Sequence, residues 1–516
     1  MINFFFRRKK EDWDKNEVRG QYFSKKKYDQ KSIFLPEFKE SQKVLPKPIL
    51  ENNPELVEMY WGCFKVAFEH LKKVSKGSPL ISDYIDEGFS DNIFLWDSAL
   101  MMLFWRYGYK AFPAINSLDN FYARQYKSGY ICREINEHSG KDFVFENRSD
   151  TIAPPLLAFA EIEYFKVSGN KKRLEKVLAS LEKYASFIDR PGNIKLAQSK
   201  NWQNYGRRAM RSKHKLFWNT NLGSGMDNLK RLGTGWVDMS SQMVLLFKNL
   251  AFICEQLGFL KRANVYKQRA KELTAEINKW CFNESDGFYY DVDKYGRQLK
   301  KKTIAGFWPL LAKIPNKKQA QKLISHLKDE NEFFRPFLFP ALAKSEKDYK
   351  ENGNYWQGGV WAPTNYMVVK GLKNYGYFDL ANKMSEKYLN AVCKVFEKTH
   401  TFWENYAPEK FAPGKPAKKD FVGWTGLGPI AMLIENILGF KADADKKSLT
   451  WHIQRSDRHG IENLAFGDFL VNAVFEPRGK TIEFLANASL DLIVFYKMKK
   501  YRFRVGKGKQ EILRVR

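Results

Sequence analysis

Helices that come in pairs constrain this chain more than any other feature. From Pro54 onward, apolar residues recur at three- and four-residue intervals. The pattern starts in ELVEMYWGCFKVAFEHLKKV, returns in WDSALMMLFWRYG (96–108) and TIAPPLLAFAEIEYFKVSG (151–169), and continues to GPIAMLIENILG. In these pairs the first member is apolar nearly all round, as in VLLFKNLAFI, and the second is amphipathic and charged, as in KRANVYKQRAKEL. A helix apolar on every side must be buried, and an amphipathic one can cover it. An inner ring of helices inside an outer ring, an α/α toroid, satisfies both demands. An open α-solenoid would also stack such pairs, but the chain shows no fixed repeat length.

The flanks differ from this body. Residues 1–50 are polar and basic, with Pro36, Pro46 and Pro48, and are expected to form an arm. Residues 51–446 hold the helices. From 447 to 516 apolar and polar residues alternate between Gly, Pro and Asn breaks, as in SLTWHI and KTIEFLANASLDLIVFY, which predicts a small β-sheet domain of four or more strands. The expected fold is mainly α, with a C-terminal β-sheet domain.

Lys and Arg number 87 against 58 Asp and Glu, a formal net charge of +29. The basic residues sit in short scattered runs, among them Arg7 to Lys10, Lys25 to Lys27, Arg207 and Arg208, and Lys300 to Lys302, and none forms a nucleic-acid motif. No nucleic-acid partner is expected. A solvated, lysine-rich surface is the plain reading. An anionic glycan or glycoconjugate, or a loose membrane-surface association through the first 30 residues, are the other partners such a charge would suit. The start, MINFFFRRKK, places its apolar residues before its charge, the reverse of a secretory signal. The chain has no run of about 18 uncharged apolar residues, so no spanning helix is expected. Five scattered cysteines without a CxxC predict free thiols in a reducing compartment, the cytoplasm by default. Seven dispersed histidines without an HExxH predict no metal site.

Long loops rich in aromatics and Gly separate the helices. Three segments place a carboxylate close to an aromatic or a Gly-rich turn: Asp97 in FLWDSA, Asp227 in GSGMDN and Glu404 in TFWENY. Sugars present apolar CH faces to indole rings and hydroxyl edges to Asp, Asn, Gln and Arg. Glycosidic cleavage needs two carboxyl groups flanking the bond, one to protonate the leaving oxygen and one to activate water or attack carbon. A carboxylate beside an aromatic is common in a chain with 58 acidic residues, and most loop Trp and Tyr pack rather than bind.

Taken in order, GSGMDN, GWVDMSSQM, YWQGGVWAPTNYMVVKGL, FWENYAPEKFAPG and DFVGWTGLGPIAMLIENILG resemble the α-glycosidases with an (α/α)6 barrel, glycoside hydrolase families 63 and 37. That group includes processing α-glucosidases, mannosylglycerate and glucosylglycerate hydrolases, and trehalases. The resemblance covers roughly residues 90–440. It implies that Asp227 is the general acid and Glu404 the general base of an inverting, exo-acting hydrolase without a cofactor. It also nominates Trp96 and Asp97 for the pocket of the terminal sugar, with Arg133, Glu134, Tyr355, Trp356, Gln357, Trp361, Trp403 and Trp424 as further pocket residues. Two positions depart from the family pattern. Gly223 stands where a Glu is usual, and Gln357 stands where an Arg is frequent, and both changes remove a charge. Two other readings follow the same barrel: a glycoside phosphorylase, which would need a phosphate pocket instead of a base, and a glycan-binding protein on an inactive barrel. A polysaccharide lyase lacks its Tyr–His–Asn loop constellation here.

Overall fold

A computed structural model describes residues 34–75, 77–142, 152–189, 210–212, 214–219 and 221–515. The basic runs at 7–10, 25–27 and 207–208, and most of the expected arm, lie outside them.

The helices fall into two classes by burial, as their sequences require. Those buried along most or all of their length are α2 (Leu95–Trp105), α3 (Leu157–Ser168), α5 (Val237–Gln256), α7 (Trp308–Ala312), α8 (Ala362–Asn374) and α10 (Gly428–Ile437). They follow one another in space: α2 packs on α3, α3 on α5, α5 on α7, α7 on α8, and α8 on α10, which also packs on α2. The other class buries one face. In α6 (Leu260–Trp280) the buried residues are Ala263, Tyr266, Ala270, Leu273 and Ile277, at helical spacing, and this stripe lies on α5. Likewise α4 (Lys171–Ile188) covers α3 and α5, α9 (Phe378–Thr399) covers α8 and α10, and α1 (Pro54–Glu69) covers α10. The last inner helix, α10, winds with the wider i→i+5 spacing of a π-helix. Among the described residues one helix, α5, is long and apolar enough to cross a membrane by length and composition, and 89% of its most apolar window is buried inside the molecule.

After the last inner helix the strands begin at Phe440, before residue 447. Gly439, at φ +85°, ends the helical run, and a Cβ there would lie 2.1 Å from the carbonyl oxygen of His452. Two sheets follow. A four-stranded sheet has the order β2 (Phe440–Asp443), β3 (Ser448–Ile453), β7 (Leu490–Tyr496), β8 (Lys499–Val505), with β3 and β7 parallel. A five-stranded antiparallel sheet has the order β1 (Lys47–Leu50), β4 (His459–Phe466), β5 (Phe469–Glu476), β6 (Thr481–Ala486), β9 (Glu511–Arg514). Residues 47–50 therefore pair into the C-terminal sheet, with Lys47 opposite Glu462. All five cysteines are free and buried.

Candidate active site

The first turn of α2 and the segments that lead into α3, α5, α8 and α10 line one cavity of about 70 Å³. Eight of the residues singled out from sequence line it: Trp96, Asp97, Arg133, Asp227, Tyr355, Trp356, Glu404 and Trp424. Trp96 and Asp97 enter from the first turn of α2. A short hairpin pairs Phe94 with Glu134, and the Leu95 amide donates to the Arg133 carbonyl at 2.9 Å, which brings Arg133 beside Asp97. Asp227 follows Gly225, whose φ of +76° bends the loop against the Trp96 ring. Tyr355 sits at φ +64°, a left-handed conformation unusual for a side chain this large and typical of functional loops.

Glu404 is held from two sides. The Tyr355 hydroxyl donates to its Oε1 at 2.7 Å and the Lys418 amide to its Oε2 at 3.1 Å. The Trp424 indole N–H donates to the Glu404 carbonyl at 2.9 Å. Burial pushes the Glu404 carboxyl above its ordinary range, the Asp227 charge adds to this, and those two hydrogen bonds oppose it. Burial pushes Asp227 up to about 6, against the pull of Arg133. Asp97 rises well above the usual carboxylate range, through burial and the neighbouring Glu404 charge. Three carboxyl groups thus share a low-dielectric pocket with one guanidinium at its wall.

Four nominated residues do not line the cavity. Glu134 lies behind it, ion-paired to Arg133 and accepting from Asn92. Trp361 stacks face to face on the back of Trp356, with ring centroids 4.0 Å apart. Gln357 accepts from Asn354 in its own turn. Trp403 is extended and bridged to Lys419, so its side chain points opposite to that of Glu404, and its indole N–H donates to Thr399 at 3.2 Å. The departure at Gly223 also has a structural account. A Cβ there would lie 2.4 Å from Asn219 Oδ1 and 2.6 Å from the Ile152 carbonyl oxygen, so the space is filled by other parts of the chain.

Two residues outside the nominated set belong with the site. Asn228 donates to the Asn354 carbonyl at 2.8 Å and accepts from the Trp356 amide at 2.9 Å, tying the Asp227 loop to the Tyr355 loop. Glu87 is fully buried, and among the described residues its carboxyl meets only the backbone amides of Phe94 and of Glu87 itself. Burial, with the charges of Asp86 and Asp97, drives it strongly toward the neutral acid.

Residues 195–425 match the family model of the mannosylglycerate hydrolase MGH1-like glycoside hydrolase domain. A probable mannosyl-oligosaccharide glucosidase of Schizosaccharomyces pombe is 30% identical over 230 residues, which span 40% of this chain and 28% of that one. Over residues 195–425 the chain is thus similar to glycoside hydrolases of the family 63 type. An uncharacterized protein of Borreliella burgdorferi matches this chain more extensively, 28% identical over 82% of the chain and 88% of its own length. The family 63 mannosylglycerate hydrolase of Thermus thermophilus, in complex with Tris and D-glycerate, shares the fold at a TM-score of 0.52 and 17% identity, over 72% of this chain and 99% of that one.

Proposed function

We propose that this chain is an inverting, exo-acting α-glycosidase that releases a terminal sugar, glucose above all, from an oligosaccharide or glycoconjugate. The observation that carries the reading is the placement of Asp227 and Glu404 on one small cavity walled by Trp96, Trp356 and Trp424. Asp227, with its proton retained to about pH 6, donates to the glycosidic oxygen. Glu404, fixed by Tyr355 and the Lys418 amide, takes a proton from water on the opposite face of the sugar. Inversion calls for carboxyl groups about 6.5–9.5 Å apart, leaving room for that water. Indole faces stack on the sugar's CH faces, and Asp97 and Arg133 bind its hydroxyls. The confined cavity supports removal of one residue at a time. Acid–base cleavage of this kind calls for no cofactor.

We read the scaffold as an (α/α)6 barrel over residues 51–446 with a β-rich domain over 447–516. The succession of six inner helices, each packed on the next and the last on the first, supports it. Free buried thiols suit a cytoplasmic location.

The test is a proton NMR time course on α-linked disaccharides and glycosyl-glycerates. The β-anomer should appear first, and Asp227→Asn should abolish it. The reading fails if the α-anomer appears first, or if Asp227→Asn and Glu404→Gln both turn over at the wild-type rate. The rate should fall as pH rises through about 6, where Asp227 gives up its proton.

A further inference from the structure

The inner helices have a second end, and it opens into a cavity of about 1420 Å³ roofed by the four-stranded sheet. Asp97 and Arg106 show the relation: they lie at opposite ends of α2, about 14 Å apart at 1.5 Å per residue. Three carboxylates line this second cavity. Glu163 pairs with Arg106, Lys166 and Lys370, Glu435 pairs with Arg106 and Lys370, and Asp379 accepts from the Gln454 amide at 3.0 Å.

Five further lysines face the same space: Lys248, Lys313, Lys373, Lys441 and Lys497. Among the described residues none of the five has a carboxylate within ion-pair distance. Two have a structural role at helix C-termini, where cations complement the dipole. Lys248 donates to the Ala312 carbonyl at 2.6 Å, and Lys373 to the Glu435 carbonyl at 2.8 Å. No such role accounts for Lys441, on β2, or Lys497, in the turn after β7. They come from the sheet side and face the lysines of the helices across the opening. Between them lies a flat aromatic stack in which the His452 ring is sandwiched by Phe378 at 4.6 Å and Phe495 at 4.4 Å. Burial, with the nearby Lys373 and Lys441 charges, holds His452 neutral, down at about 4. Burial also pushes Lys248 and Lys373 down to about 8; the Lys313 charge adds to this at Lys248, and at Lys373 the Glu435 charge opposes it.

We propose that this cavity binds a small anion carrying two or more phosphoryl groups, with Lys373 at its depth and Lys313, Lys441 and Lys497 at its mouth. A phosphate monoester brings a charge of about −1.5 to −2, so two or three of them match five lysines. Lysine serves as a point-charge partner for phosphate. The proposal is independent of the reaction at the other end.

Isothermal titration of the full chain with inorganic pyrophosphate and with fructose 1,6-bisphosphate, at about 150 mM salt, tests it. One molecule of at least one of them should bind per chain. Tighter binding of the first points to an inorganic ligand, and of the second to a sugar-borne one. Lys441→Gln combined with Lys497→Gln changes only exposed side chains and should weaken binding at least tenfold. Lys373→Gln, checked for an intact melting transition, should weaken it further. Glu404→Gln should leave it unchanged. The proposal is overturned if neither anion binds, if the double variant binds as wild type, or if Glu404→Gln weakens binding as much as the lysine variants do.

Discussion

The two ends of the inner helices carry opposite charge, acids at the N-terminal end and lysines at the C-terminal end. Each sign suits the helix dipole it faces. Yet Asp97, in the first turn of α2, is pushed strongly toward its protonated form, and Lys373, near the end of α8, is pushed toward losing its proton. Burial outweighs the dipole at both ends, because removing an ion from water costs more than a helix terminus returns. The chemical consequence differs between the ends. A carboxyl that keeps its proton is a general acid, whereas a crowded lysine cluster is a demand for an anion.

The largest expected effect separates the ends by function. Asp227→Asn and Glu404→Gln should each lower kcat by about 10²–10⁴-fold, the usual contribution of acid–base catalysis, while leaving pyrophosphate binding intact. Steady-state rates and titrations on the same samples check this. Next comes the buried ion-pair cluster at the second end. Arg106→Met leaves Glu163 and Glu435 without their buried guanidinium and should cost about 3–5 kcal/mol in urea unfolding.

A third prediction concerns stability against pH. Asp227 has an ordinary value of 3.8 and rises to about 6 in the folded chain. The folded state therefore binds this proton more tightly than the unfolded state does. Its contribution is fully present below pH 3.8 and is lost as pH rises through about 6. Asp227→Asn should thus stabilise the protein at pH 7 by about 1–3 kcal/mol and do little near pH 4, which paired unfolding curves would resolve. The smallest effect is expected at Asn228. Asn228→Ala frees the two loops from each other and should lower kcat/KM about tenfold with a stability loss of about 1 kcal/mol. Unchanged kinetics would show that the loops hold their places without it.

What was legible in the sequence was whatever leaves a local mark. The span of α4 was plain because its apolar stripe is regular and Asn170 caps it through the Arg173 amide. That Asp227 and Glu404 belong to one cavity was legible because each stands in a Gly- or Trp-marked segment of a known pattern. Trp403 was misjudged by adjacency, since consecutive residues of an extended segment face opposite ways. Asn228 was invisible because its partners lie more than a hundred residues away. The lysine cavity left no motif either. Its five lysines come from separate segments between 248 and 497, and only the fold brings them together.

The pairing of residues 47–50 with 459–462 sets an order of events in time. At about 5–20 residues per second, synthesis delivers the second partner roughly 20 to 80 s after the first. The sheet therefore closes after all the inner helices around the Asp227–Glu404 cavity have been made. During that interval β1 waits as an open edge, and Pro48 within it offers no N–H, which blunts the strand against pairing with another chain.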